Sequence, residues 1–249
     1  MNSVMFLGTG GARIMLSTQL LATGGMLIKL DDTFFSLDPG PGALVSTVKY
    51  GFDPTSLDGI ILSHRHLDHS ADANVMIEAM TRGGLNKKGF LFAPLDALNN
   101  DPVIFKYLRH YAAGIIPLEP LTAYKINTLP FNTSMPHHHG NVETYGFIFK
   151  GKNTSVAYIP DTAFFPQLLE FYKADILIIS MLRLEKSSIP HLSVADVEII
   201  LDALKPKLTL LTHFGLQVYN KGPENIAKDL AKKTGFIVKA ALDGLKYEF

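Results

Sequence analysis

The stretch HRHLDH, residues 64–69, follows the apolar, strand-like segment GIILS. Three imidazoles and one carboxylate so close together disfavour one another by desolvation and repulsion unless a divalent metal compensates them. Alternate residues of an extended segment point the same way, so His64 and His66 can bind one ion. Asp68 and His69, past a bend, can then reach a second ion. A surface histidine cluster or a polar turn is the alternative, but the density of these groups directly after a buried strand favours half of a two-metal hydrolytic site.

Three residues further along the chain are candidates for the other half of the site. His139, Asp161 and His213 each come just after a strand-like segment, where the loops of layered α/β folds carry chemistry. Considered alone, Asp161 is better explained as a helix N-cap, and His213 favours neither a structural nor a metal-binding role. Their joint recurrence at strand ends favours metal binding. Cysteine is absent, so histidine and carboxylate are the available ligands.

Strand-like and helix-like segments alternate along the chain, most regularly in its last third. Such alternation predicts paired sheets with helices on the outside. No repeat, low-complexity tract or linker divides the sequence, so residues 1–249 are expected to form one domain. The predicted strands are 4–7, 26–30, 33–37, 59–63, 126–129, 144–149, 155–159, 176–180, 208–212 and 236–239. The predicted helices are 71–82, 95–111, 165–172, 194–204 and 224–233.

The composition narrows the choice of partners. The 249 residues are 47% hydrophobic and 18% charged, and 23 Lys and Arg balance 23 Asp and Glu. A neutral chain lacks the cationic field that draws proteins to nucleic acid or to an anionic membrane. No apolar run approaches the roughly 18 to 20 residues that span a bilayer. The start of the chain lacks the features of a secretory signal, so a cytoplasmic protein is expected. The oligomeric state stays open, with a homodimer among the alternatives.

These motifs, in this order, resemble the metallo-β-lactamase superfamily over nearly the whole chain. The family pattern is HxHxDH, then a distal His, an Asp and a last His. The resemblance implies an α/β fold, the four-layer αββα sandwich, with each motif at the end of a strand. It also implies two metals with Asp161 as the bridging ligand. The ligands of the first metal would be His64, His66 and His139, and those of the second would be Asp68, His69 and His213.

Three adjacent histidines, residues 137–139, compete for the role of distal ligand. In relatives this ligand commonly lies six or seven residues before a Gly-aromatic pair, and Gly146-Phe147 begins seven residues after His139. That spacing selects His139, with His138 as the alternative. His137 is expected behind the ligands or at the rim of the pocket. Asp38 resembles the Asp of the family's Asp-x-Gly segment and is expected to be structural or to support a ligand.

The implied ligand set points to metal-dependent hydrolysis. Two divalent ions, with Zn favoured and Mn or Fe also suited, lower the pKa of a bridging water to about 7 and neutralise charge on a substrate oxygen. Asp68 is suited to orient the resulting hydroxide as well as to bind metal, so it is also a candidate catalytic residue. Diiron oxygen-reducing relatives replace the second motif histidine with Glu. This chain keeps His66, which favours hydrolysis over electron transfer.

A second motif narrows the chemistry. The segment HLSVADV, residues 191–197, resembles the His-(Ser/Met/Leu)-(Thr/Ser)-Ala motif of the ribonuclease Z branch, and its histidine precedes His213 by 22 residues. By this resemblance His191 would be a catalytic residue that donates a hydrogen bond or a proton to a phosphoryl oxygen or leaving group. The alternative is that His191 or Ser193 only caps the following helix. The motif therefore favours a phosphodiesterase.

The spacing of the motifs also limits the substrate. Ribonuclease Z that processes tRNA carries a long arm between the distal His and the bridging Asp, but only 21 residues separate His139 from Asp161. Together with zero net charge, this disfavours precursor tRNA and favours a small anionic phosphodiester, such as a cyclic nucleotide or a cyclic sugar phosphate.

Two other functions remain as alternatives. An acyl hydrolase for a lactone, thioester or β-lactam would use the same metal site, and a nucleic-acid-processing or non-catalytic metal-binding module would use the same fold. Arg183, Lys186 and Ser188 precede His191 and could meet an anion, but solvated loop charge is their expected role.

Overall fold

Residues 1–99 and 101–249, which the computed structural model describes, form two seven-stranded sheets packed face to face. The strands are β1 Ser3–Phe6, β2 Met26–Leu30, β3 Thr33–Leu37, β4 Gly59–Ile61, β5 Phe90–Pro94, β6 Gly114–Leu118, β7 Ala123–Ile126, β8 Leu129–Thr133, β9 Phe147–Lys150, β10 Ser155–Ile159, β11 Ile176–Ser180, β12 Leu208–Thr212, β13 Val238–Ala240 and β14 Lys246–Glu248. The helices are α1 Ala12–Thr18, α2 Ala43–Lys49, α3 Leu67–Ser70, α4 Ala73–Met80, α5 Leu95–Leu98, α6 Leu168–Phe171, α7 Val194–Leu204, α8 Leu216–Lys221 and α9 Pro223–Thr234.

The topology of the sheets brings several strand ends to one edge. The first sheet has the order β14-β1-β2-β3-β4-β5-β6 and is parallel from β3 to β6. The second has the order β13-β12-β11-β10-β9-β8-β7 and is parallel from β10 to β13. Because β9 is antiparallel to both β8 and β10, β8 runs parallel to β10. The carboxyl ends of β8, β10, β11 and β12 therefore lie at the same edge of their sheet.

Alternation along the strands produces three apolar layers. In β11, Ile176 and Ile178 face the layer between the sheets, whereas Leu177 and Ile179 face the helices outside. A third layer packs α2 and α4 against the outer face of the first sheet. Each fully buried aliphatic side chain of this size contributes about 1.5–3 kcal/mol of transfer free energy. The predicted four-layer αββα sandwich is confirmed.

The helices and strands predicted from the sequence agree best with the structure where the apolar pattern is regular. Strands 26–30, 33–37, 155–159, 176–180 and 208–212 and helix 194–204 have the predicted bounds. The predicted helix at 95–111 is wrong: α5 ends at Leu98, and a single 3₁₀ turn, Lys106–Leu108, follows. Pro102 lies between them, and proline restricts both its own backbone and that of the residue before it.

The predicted strand at 126–129 is also wrong. Ile126 ends β7 and Leu129 begins β8, and in the turn between them Asn127 adopts a left-handed conformation with φ 49°. Asn tolerates that conformation better than most residues, so the chain reverses where a single strand is predicted. None of the helices in the described ranges has the length and hydropathy needed to cross a bilayer.

Candidate metal centre

The candidate site lies where strands of both sheets end. β4 leads directly into the stretch 64–69, while β8, β10 and β12 lead to His139, Asp161 and His213. The structure brings together all seven residues predicted as metal ligands. Within this cluster, several groups of three have ligand atoms that all lie within 4.8 Å of one another. The groups are His64, His66 and His139; His64, His69 and Asp161; Asp68, His69 and His213; and His139, Asp161 and His191.

The two predicted metal sites correspond to two of these groups. On one side, His139 Nε2 lies 3.0 Å from His66 Nδ1. On the other, His69 Nε2 lies 3.0 Å from His213 Nε2, which is 3.3 Å from Asp68 Oδ2. The nitrogen and carboxylate atoms of each group thus lie close together, as a shared ion would require.

Asp161 lies between the two groups. Its Oδ2 atom is 3.5 Å from His139 Nε2 and 3.7 Å from His69 Nε2, and its Oδ1 atom is 3.2 Å from His213 Nδ1. Burial would raise the pKa of this carboxyl, but the imidazoles of His213 and His191 outweigh burial and hold it well below its usual range. Asp161 is therefore ionised and has one oxygen near each group, as the predicted bridging role requires.

The three histidines 137–139 have different environments. His139 is buried, and its Nδ1–H donates to the carbonyl oxygen of Pro190 at 3.3 Å, so Nε2 faces the cluster. His138 is exposed and stacks on the ring of Phe165 with the centroids 4.3 Å apart. His137 is buried behind Asp161, and its Nε2 lies 2.5 Å from the hydroxyl of Tyr172. Geometry therefore favours His139 over His138 as the distal ligand.

Asp38 supports two of the histidines from behind. Its Oδ2 atom accepts from His69 Nδ1–H at 2.9 Å, from the Ser63 hydroxyl at 2.6 Å and from the Tyr158 hydroxyl at 3.0 Å. Because the Ser63 hydroxyl donates to Asp38, its oxygen is free to accept from His64 Nδ1–H at 3.0 Å. Nε2 of both imidazoles therefore faces the cluster, where a metal would bind each of them in the unprotonated form.

Three buried polar atoms of the cluster have no hydrogen-bond partner among the described residues: His64 Nε2, Asp161 Oδ1 and His213 Nδ1. Burial lowers the pKa of His64 well below its ordinary value, so its Nε2 lone pair is available at neutral pH. Buried polar atoms without partners are rare and costly, and divalent ions at the two groups would give His64 Nε2 and Asp161 Oδ1 their partners. The nitrogen and carboxylate donors thus fit divalent metals such as Zn, Mn or Fe.

The glycine-rich loop after β1 completes the site with backbone groups. The Ala12 N–H donates to Asp68 Oδ2 at 2.8 Å, and a Cβ atom on Gly11 would overlap the ring of His213. His213 itself has φ 61°, a left-handed conformation that disfavours a histidine by roughly 1–2 kcal/mol. Strain of this kind is common where a fold holds a functional side chain in place.

His191 lies at the side of the cluster. Its Nδ1 is 3.6 Å from Asp161 Oδ2, and its ring centroid is 4.9 Å from that of His139. Burial lowers the pKa of His191 to about 4, so the imidazole is neutral at pH 7. Ser193, and not His191, caps the following helix: the Ser193 hydroxyl and the Asp196 carboxylate form a capping box at the start of α7.

Several supporting residues carry no sequence signal of their role. Tyr158 and Tyr172 read as apolar core residues, and the Ala12 N–H is a backbone group. Ser63 directly precedes HRHLDH, and this position is the one sequence feature that indicates its supporting role. Asp38 has the supporting role that its turn predicts.

Comparison with known proteins finds similarity over most of the chain. Residues 33–214 match the family model described as a beta-lactamase superfamily domain. An uncharacterized protein of Methanocaldococcus jannaschii is 30% identical over 253 residues, which cover 98% of this chain and 94% of that protein. A ribonuclease Z of Thermoplasma volcanium is 27% identical over 138 residues, which cover 54% of this chain and 44% of that enzyme.

Two solved structures share the fold along their full length. The metallo-beta-lactamase fold protein YhfI of Bacillus subtilis has a TM-score of 0.81 and 20% identity, with 100% of this chain and 99% of that chain covered. A diphosphatase from the PhnP family has a TM-score of 0.75 and 21% identity, with 100% and 98% covered. At these identities, the likeness to both structures concerns the fold alone.

Proposed function

Since the chain belongs to the beta-lactamase superfamily and its relatives support a metal-dependent hydrolase, we propose that it cleaves a small or cyclic phosphodiester. The observation that carries the proposal is the position of His191, a neutral imidazole 3.6 Å from Asp161 at the side of the ligand cluster. The names of a ribonuclease Z relative and of a diphosphatase with the same fold are consistent with phosphoryl chemistry.

Two divalent metals would occupy the two groups of ligands. We assign His64, His66 and His139 to one metal, Asp68, His69 and His213 to the other, and Asp161 to both, with Zn favoured and Mn or Fe suited to the same donors. When bound, such metals lower the pKa of water and stabilise negative charge on a phosphoryl oxygen.

The protein's own groups orient the reactants. Asp68 is ionised, because the neighbouring imidazoles of His69 and His213 lower its pKa more than burial raises it. Its carboxylate is held by the Ala12 N–H at 2.8 Å and can accept a hydrogen bond from the attacking water. His191 Nδ1 lies toward Asp161, so we assign to Nε2 the contact with the substrate: in its Nε2–H tautomer the neutral imidazole donates a hydrogen bond to a phosphoryl or leaving oxygen.

The proposed substrate is small and anionic. Its phosphate matches the imidazole-rich cluster, and the short segment between His139 and Asp161 leaves no room for a protruding RNA-binding arm. The neutral net charge of the chain agrees with a small substrate better than with an extended phosphate backbone.

The substitution His191→Ala tests the proposal. With two metals loaded, we expect kcat on bis-p-nitrophenyl phosphate and on cyclic nucleotides to fall about 100- to 1,000-fold, because a hydrogen bond to the charge that develops in the transition state is lost. Lactone hydrolysis and the metal content measured by elemental analysis should not change. His138→Ala is the matched control, since His138 is exposed and lies outside the ligand groups.

Four outcomes would contradict the proposal. Unchanged diester turnover in His191→Ala would remove the phosphoryl role, and loss of a metal equivalent would make His191 a ligand instead. A wild-type enzyme that hydrolyses lactones or thioesters but no diester would be an acyl hydrolase. If no stoichiometric metal remains after reconstitution, metal-dependent hydrolysis itself is excluded.

A further inference from the structure

Three arginines of the described chain are partly buried, and they differ in how their guanidinium groups are satisfied. Arg65 donates to Asp101, and Arg109 donates to the carbonyl oxygens of Leu98 and Ile104. The guanidinium of Arg183 forms no hydrogen bond and no ion pair with the described residues, and its Nε atom is buried without a partner. A buried donor without a partner is unfavourable, so an anion that accepts a hydrogen bond from this guanidinium would bind well.

Backbone pairing places Arg183 beside the metal centre. The Arg183 N–H donates to the carbonyl oxygen of Leu192 at 3.2 Å, and the Val194 N–H donates to the carbonyl oxygen of Arg183 at 3.2 Å. These two bonds join Arg183 to the segment that carries His191. The charge of Arg183 is close enough to contribute to the low pKa of His191, after burial and the neighbouring histidines.

The other cation of this loop has a different environment. Lys186 is exposed and forms an ion pair with Asp196 at 3.0 Å, so its charge is already compensated. If the positive charges of this loop were only solvated surface charges, Arg183 and Lys186 would have similar environments. Only Arg183 combines partial burial, the lack of a partner among the described residues and proximity to His191.

We propose that Arg183 is a specificity-determining residue that binds the non-reacting oxygens of the substrate phosphate. This inference rests on the proposed phosphodiesterase function. A guanidinium presents two parallel N–H groups that match two phosphate oxygens, which a lysine cannot reproduce. Neutral lactones offer no such anion, so Arg183 selects phosphodiesters over acyl substrates that the metal centre would otherwise accept.

The test compares Arg183→Gln and Arg183→Lys with Lys186→Gln in the metal-loaded enzyme. Binding of inorganic phosphate is measured by calorimetry, and kinetics are measured on bis-p-nitrophenyl phosphate and on a lactone. For Arg183→Gln we expect phosphate affinity to fall about 10- to 100-fold and KM for the diester to rise similarly. The value of kcat should change less, because contacts to non-reacting oxygens act on ground state and transition state alike. Arg183→Lys should be intermediate, and Lys186→Gln should match wild type.

The outcomes separate this inference from the proposed function. If wild type cleaves diesters and Arg183→Gln binds phosphate like wild type, the role of Arg183 is wrong while the proposed function stands. If phosphate binding depends on Arg183 but no diester is cleaved, the anion site stands and the proposed function is wrong. An equal rise in KM for the lactone, or an equal effect of Lys186→Gln, would show a structural or general electrostatic role and overturn the inference. Should Arg183→Gln fail to fold, Arg183→Lys, which keeps stem and charge, decides through phosphate affinity alone.

Discussion

The first sheet places four residues of the metal centre on one loop, whereas the second sheet supplies three residues from three separate loops. Residues 64–69 follow β4, and their relative positions depend mostly on the local bend into α3. His139, Asp161 and His213 follow β8, β10 and β12, and their relative positions depend on strand pairing. Each proposed metal site therefore joins two residues of the contiguous stretch to one residue of the scattered set, and only the scattered residues need the pairing of the second sheet to bring them together.

The two halves meet through few contacts close to the ligands. The Phe214 N–H donates to the carbonyl oxygen of Thr9 at 2.8 Å, and the Tyr145 N–H donates to the carbonyl oxygen of Ser63 at 3.0 Å. Asp243, near the end of the chain, holds the same glycine-rich loop by accepting from the Thr9 N–H at 2.8 Å. Changes at these contacts should alter the metal centre without removing a ligand.

The largest effects are expected from His64→Ala and His213→Ala, one ligand from each half. Each should lower turnover by about a thousandfold or more, because the metals supply several kcal/mol of transition-state stabilisation. Elemental analysis should show that His213→Ala keeps the metal at His64, since the group of His64, His66 and His139 does not include His213. If both substitutions release both metals, the two groups do not bind metal independently, and the contrast drawn between the two sheets is wrong.

Gly11→Ala tests how the first sheet supports a ligand of the second. Its backbone, with φ −139°, accepts any residue, but the added Cβ atom would displace the His213 ring. We expect metal affinity to fall about 10- to 100-fold, as for other changes around metal ligands. The control is Gly51→Ala, which meets no neighbouring atom and should affect stability alone. Equal metal affinity in Gly11→Ala and wild type would show that the His213 ring can move without consequence.

Asp38→Asn and Tyr172→Phe compare the supports behind each half. Asp38→Asn removes the charged acceptor of His69 and should weaken metal binding about 10- to 100-fold. Tyr172→Phe removes one hydrogen bond to His137, which lies behind Asp161, and should weaken it only about 2- to 10-fold. Metal titrations followed with a competing chelator would measure both. A larger effect at Tyr172 would mean that the second half depends more on its support than the first.

The smallest effect is expected away from the site, at Asp175. The Lys207 ammonium and the Ser155 N–H and hydroxyl lower the pKa of Asp175 to about 2. A lowered folded-state pKa adds stability above the unfolded pKa, near 4, and this is lost as the pH falls toward 2. Asp175→Asn should therefore lower the free energy of unfolding by about 1 kcal/mol or less at pH 7, since the group is largely solvated. Thermal unfolding at pH 7 and pH 2 checks this, and a difference that persists at pH 2 would exclude the charge as its cause.

Regular apolar periodicity made much of the fold predictable. Five strands, β2, β3, β10, β11 and β12, and helix α7 have their predicted bounds, because each is a largely apolar segment between polar or glycine-containing turns. The errors at 95–111 and 126–129 have local causes, in Pro102 and in the left-handed Asn127. Both segments contain apolar residues that pack through tertiary contacts rather than through one helix or strand.

The sequence alone is enough to predict the proposed ligands, because HRHLDH and the residues at three later strand ends carry their donors in a spacing that local geometry can use. The folded chain was needed to show which of three adjacent histidines faces the cluster, which groups lie behind the proposed ligands and which arginine side chain lacks a partner among the described residues. Those properties depend on burial and on side chains far apart in the chain, such as His137 and Tyr172, which meet only after the strands pair.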